Sequence, residues 1–230
     1  MKPWLVKQWC IPPQRNAAFV CAMEDILTVY KQPVNPAEPL ICMDEASKQL
    51  VKETRKLIAA RPGKPARYDY EYERNGVCSI FMFYAPFQGK RYVAVTDRRT
   101  RTDWAMQIKN LLDALYPEAR KVTLVMDNLN THSGISLYET FPPEEARRLL
   151  DRLDIHYTPK HGSWLNMAEI ELSVLSRQCT NRRIPDKQTL AREIAAWQTQ
   201  RNEIEAKVDW RFTNEDARIK LKRLYPTLCG

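Results

Sequence analysis

Residues 121–132, KVTLVMDNLNTH, constrain the fold of this chain more than any other stretch. The run from Val122 to Met126 is apolar and rich in β-branched side chains, and it leads straight into Asp127, with the loop formers Asn128 and Asn130 behind it. That pattern predicts a strand buried on both faces, delivering a carboxylate at its C-terminal edge. A second run, PLICMDEA over 39–46, is built the same way and carries Asp44 near its end. A third acid, Glu169, opens the helical stretch NMAEIELSVLSRQ, behind the turn TPKHGSWL. Three carboxylates arriving from three separate elements repel one another unless something positive sits between them, so the simplest reading is a divalent metal site.

Ahead of the first strand, Phe19, Met23, Ile26, Leu27 and Tyr30 fall at helical spacing, closed off by Pro33 and Pro36. This helix and what precedes it, residues 1–38, are expected to form a linker arm, with a catalytic domain over 39–226 and a tail over 227–230. After Asp44 the chain turns polar and basic, with a Pro62-Gly63 break. It is expected to be either a solvated loop or a surface for the nucleic-acid backbone, with Lys52, Arg55, Lys56, Arg61, Lys64 and Arg67 making the contacts. VCSIFMFYAP and KRYVAVTDR then read as a hairpin. A helix over 102–116 follows, then the Asp127 strand, a loop, a helix opened by two prolines and two acids, and a short strand IHYTP. The Glu169 helix comes next, and two more helices are predicted over about 187–207 and 214–224. Strands first paired, then alternating with helices, define an α/β chain with a mixed five-stranded sheet and helices on both faces.

Charge enters here, because a cation site inside a basic protein suits a polyanionic partner. Lys and Arg number 36 against 28 Asp and Glu, a net charge of +8. The 6 cysteines show no CxxC spacing, which argues against structural zinc and reads as reduced thiols in a cytosolic protein. No apolar stretch approaches the roughly 20 residues of a membrane helix, so no membrane partner is expected.

Four blocks, in order, carry a family resemblance: CMDEASKQL around Asp44, RPGKPAR at 61–67, VMDNLNTH at 125–132 and YTPKHGSWLNMAE at 157–169. The chain resembles transposases of the insertion sequence 630 family, bacterial relatives of the mariner elements with a DDE endonuclease domain. The interval between Asp127 and Glu169 is somewhat longer than in the mariner branch. The resemblance implies a ribonuclease H-like fold and a catalytic, metal-binding triad of Asp44, Asp127 and Glu169. It also implies double-stranded DNA as partner, a homodimer on that DNA, and a bacterial, nucleoid-associated cytoplasmic location. Family members carry an N-terminal helix-turn-helix module; none is visible here, so the chain is expected to be a catalytic part, a truncation or one product of a split gene.

Carboxylate oxygens are hard ligands suited to Mg²⁺ or Mn²⁺, and two such ions would serve an in-line phosphodiester displacement. Asp44 is the expected bridging ligand. Glu171 and Glu45 are not expected to join it, the first because two residues turn a helix over half a circle, the second because strand neighbours face opposite ways. Asn128, His132, His161 and Asn166 are expected to position DNA or the ligands, and Arg177, Arg182 and Arg183 to grip the DNA backbone. The DNA-joining reading stands beside two rivals, a nuclease of similar fold that cuts without joining and a non-catalytic fragment that binds DNA or inhibits a complete transposase.

Overall fold

The computed structural model describes residues 12, 14–55, 58–67 and 69–227. Helix α1 (Ala17–Lys31) is capped by Asn16, whose side chain accepts from the Phe19 amide at 2.9 Å. Its apolar residues meet the spacing read from the sequence, but they do not form a detached arm. Phe19, Met23, Ile26 and Leu27 are buried in the main core, and the Tyr30 hydroxyl donates to the Leu165 carbonyl at 2.6 Å. A stripe of large apolar side chains cannot stay in water when a sheet face is available to cover it.

Strand β1 (Leu40–Glu53) is far longer than the run that suggests it. It pairs antiparallel with β2 (Tyr72–Ala85) as far as its last residue, Glu53, so the polar segment after Asp44 is half strand rather than loop, and Asp44 lies inside a strand rather than at its exit. The reason is cross-strand pairing: main-chain hydrogen bonds carry the two strands on as a basic arm in which Leu50 still reaches the core but most side chains meet solvent, so the run needs no regular apolar alternation. The register shifts between Gln49 and Val51, opposite Gly76 at φ +88°, a bulge that only a residue without Cβ accepts readily.

A turn at Gln88 and Gly89 leads into β3 (Lys90–Thr96). Gly89 has φ +65°, and a Cβ there would come within 2.6 Å of the Glu205 carbonyl carbon. Gly89→Ala should therefore cost more than the ~1–2 kcal/mol of a left-handed residue alone; a guanidinium melt with an unchanged midpoint would rule out that close approach.

Helix α2 (Arg101–Asn110) opens on a capping box between Thr100 and Asp103 and ends in a π-helical turn over Leu111–Leu115. Strand β4 (Val122–Met126) is buried throughout, as its composition requires. The loop after it holds a short helix that the sequence pattern does not reveal, α3 (Gly134–Thr140), followed by α4 (Pro143–Asp151) and β5 (Leu153–Tyr157). The remaining helices are α5 (Met167–Leu175), α6 (Lys187–Glu203) and α7 (Asn214–Lys220).

The five strands lie in the order β3-β2-β1-β4-β5, with β1, β4 and β5 pairing in parallel, β2 antiparallel to β1, and β3 antiparallel to β2. Alternate residues of β1 divide between two cores. Leu40 and Cys42 join α1, α5, α6 and α7 on one face, while Ile41 and Met43 join α2, α3 and α4 on the other. Helices thus cover both faces, as expected. Among the described residues Cys21, Cys42, Cys78 and Cys179 are free thiols, and no helix is long and apolar enough to cross a membrane.

Candidate active site

The parallel pairing of β1 and β4 sets the site. Cys42 lies opposite Val125, and two residues further along each chain come Asp44 and Asp127, at the same edge of the sheet centre. Helix α5 is tied to this edge by Asn166. The side chain of Asn166 caps the helix, accepting from the Ala168 amide at 3.0 Å, and donates to the Met43 carbonyl at 2.8 Å. Glu169 sits in the first turn of α5, exposed to solvent, while Glu171 turns away into the protein. Helical geometry separates the two acids as the sequence reading requires.

The electrostatics tie the three carboxylates together. Burial pushes the Asp44 carboxyl up, the Glu45 amide bonding it at 2.7 Å opposes this, and the negative charges of Asp127 and Glu169 add to the rise, to about 7. Among the described residues no three His, Cys, Asp or Glu side chains are drawn tightly enough to enclose an ion as they stand. The donor set nevertheless fits a hard divalent cation: it offers oxygen only, from three elements, and its mutual repulsion is what such a cation relieves.

His132 lies in the loop after β4, but its side chain points inward rather than toward DNA. It is wholly buried, with Nδ1 at 2.6 Å from Asp127 Oδ1 and Nε2 at 3.0 Å from Glu45 Oε1. Its ring stacks on Trp104, centroids 5.9 Å apart, and its carbonyl accepts from the Tyr157 hydroxyl at 2.8 Å. Burial pulls its pKa down, but the hydrogen bonds to Asp127 and Glu45 outweigh this and carry it to about 9, so a ring protonated on both nitrogens answers both acids. Glu45 does face away from Asp44, as strand alternation demands, yet it reaches the site through His132. A buried acid on a central strand needs a partner, which is the signal that could have found it.

A cleft of about 700 Å³ opens beside Asp127, between the start of α1 and the loops after β4 and β5. Asn128, Lys160 and His161 line it, and His161 holds the left-handed conformation at φ 65°. Lys52, Arg55, Arg61, Lys64 and Arg67 lie along the β1–β2 arm, and Arg55 pairs there with Asp69 at 3.1 Å; Lys56 lies outside the described residues. Arg177 is exposed just after α5, whereas Arg182 and Arg183 are engaged within the protein. Arg182 pairs with Glu193 at 2.6 Å, and Arg183 pairs with Glu53 at 2.6 Å and lies over the Tyr72 ring, bracing the foot of the arm. Trp164 packs against Trp210 and Phe212, so it serves the core.

A five-stranded mixed sheet with carboxylates at the edge of its two central parallel strands defines a ribonuclease H-like domain. Residues 39–191, more than half of the chain, match the DDE superfamily endonuclease model, and the chain belongs to that family. No curated protein matches the sequence closely enough to count as a relative. The fold is similar to that of the Mos1 strand transfer complex, with a TM-score of 0.61 at 16% identity over 95% of this chain and 64% of that one. It is also similar to the mariner Mos1 paired end complex with Mg, with a TM-score of 0.60 at 18% identity over 96% and 67%. In the Mos1 paired end complex with Mn the TM-score is 0.59 at 17% identity, over 95% and 65%. The chain thus spans about two thirds of the length of the Mos1 protein.

Proposed function

We propose that this chain is the catalytic domain of a DNA transposase of the insertion sequence 630 type, which cuts DNA at element ends and joins the freed 3′-hydroxyl to target DNA. What supports the reading is that Asp44 and Asp127 come from adjacent parallel strands, with Glu169, whose charge adds to the rise of the Asp44 pKa, on a helix that Asn166 ties to the Met43 carbonyl. Asp44, Asp127 and Glu169 would hold Mg²⁺ or Mn²⁺, with Asp44 shared between two ions. Bound there, the metal supplies Lewis acidity for an in-line displacement at phosphorus, with no covalent enzyme intermediate. Asn166 keeps α5 from sliding along β1. Glu169, exposed on the first turn, is the carboxylate with room to swing toward the other two. Lys160 and His161 on the cleft wall, with Asn128 beside Asp127, would meet the DNA phosphates, and the basic arm and Arg177 would carry the duplex away from the site.

The similar solved structures are a paired end complex and a strand transfer complex of Mos1, and this supports a DNA partner; action in two copies, with end recognition by a further helix-turn-helix module, is what the resemblance to the insertion sequence 630 family implies. The test is a joining assay with a pre-cleaved element end, target plasmid and Mg²⁺ or Mn²⁺. Strand transfer by the parent chain, lost in Asp127→Asn, is the expected result. Cleavage without joining would assign a plain nuclease, and no metal-dependent product from either protein would leave only the DNA-binding or inhibitory role.

A further inference from the structure

We propose that Glu45 and His132 form a positioning pair that fixes the Asp127 carboxylate in one orientation, so that Asp127 offers a single free oxygen, Oδ2, to the cation of the site. The role rests on the metal-dependent reading above. His132 Nδ1 meets Asp127 Oδ1 at 2.6 Å, and Nε2 meets Glu45 Oε1 at 3.0 Å. The imidazole has no freedom to turn away. Its side chain is 0% exposed, Trp104 lies against one face, and its own amide donates to Leu129 at 2.9 Å, closing the loop that carries Asp127.

An ordinary core contact explains this arrangement poorly. The Glu45 side chain is 3% exposed, and among the described residues its Oε2 has no hydrogen-bond partner. An apolar residue would fill that space at lower cost than a carboxylate with half its bonding unmet. The cost makes sense when the far end of the chain of contacts is considered: Asp127 is the one member that reaches the surface, on the wall of the 700 Å³ cleft. Its carboxylate would otherwise rotate about a soft torsion, and a ligand fixed by a buried partner binds metal more tightly than one that must be ordered on binding.

The measurement is Mn²⁺ affinity by calorimetry on the full chain, with thermal melting alongside, for the parent and for His132→Ala, His132→Asn, Glu45→Ala and Glu45→Gln. His132→Ala and Glu45→Ala should weaken binding by about 10–100-fold, the usual effect of losing a partner behind a ligand. Glu45→Gln keeps an acceptor oxygen for the ring and should regain most of the affinity. His132→Asn keeps a donor near the place of Nδ1 and should regain part. A structural role alone would shift melting in all four without this order of rescue. Equal affinity for the parent and Glu45→Ala, or a Glu45→Gln no better than Glu45→Ala, overturns the role while leaving the metal reading intact. That comparison suffices if His132→Ala does not fold. A folded parent that binds no Mn²⁺ overturns both.

Discussion

Asp44→Asn should lose metal-dependent DNA cleavage and at the same time gain stability. The activity loss is expected to exceed the roughly 100-fold that marks the upper range for an outer partner, because Asp44 would be a ligand shared by two ions. The stability gain follows from its pKa. In the folded chain Asp44 sits at about 7, raised by burial and by the charges of Asp127 and Glu169, against about 3.9 when unfolded. Between those values the folded state binds more protons, so folding stability falls as pH rises from about 4 to about 7 and stays lower above. Asparagine carries no charge and escapes this penalty, which is at most about 4 kcal/mol for the whole shift. Melting in EDTA should show Asp44→Asn above the parent at pH 8 and no such gain near pH 4. A variant less stable than the parent at pH 8 would mean that Asp44 is not under electrostatic strain. Sites tuned for chemistry commonly carry such a cost.

The largest stability effect is expected on the other side of α5. Glu171 accepts from Arg91 Nε at 3.0 Å and from Arg201 Nη2 at 3.0 Å. Arg91 is itself wholly buried, and its guanidinium also donates to the carbonyls of Gly89, Arg201 and Ala206. Glu171→Ala leaves that cation without an anion in the protein interior, a change that costs about 3–5 kcal/mol. In a chain of this size that corresponds to a fall in Tm of roughly 6–20 °C. Adding Arg91→Met should recover part of the loss, because the stranded charge goes with it. If the single variant melts with the parent, the pair is not what locks α5 and α6 to β3. The same lock keeps Glu171 turned into the protein, with Glu169 left exposed on the first turn of α5.

Much of this was legible in the residues because the signals were local. A β-branched run ending in an acid states both a buried strand and its burden, as Val122 to Asp127 do. The spacing of Phe19, Met23, Ile26 and Leu27 states a helix, and the TPKHGSWLN turn announces the start of another. The order of elements then admits few sheets. Other features left no local trace. The second half of β1 is mostly polar, with Leu50 buried in the core but no regular alternation around it, and α3 is only seven residues long with no side-chain cap.

The sequence by itself determined the order of the strands and of the longer helices, a sheet with helices on both faces, and which acids the two buried strands and α5 carry. Local composition and periodicity suffice for that. Only the tertiary structure decided that α1 belongs to the core, that Arg183 braces the arm while Arg182 pairs with α6, and that Glu45 and His132 stand behind Asp127. Each of these depends on which distant group a side chain meets once buried: a polar atom removed from water must find a partner, and the chain positions that supply it lie tens of residues apart.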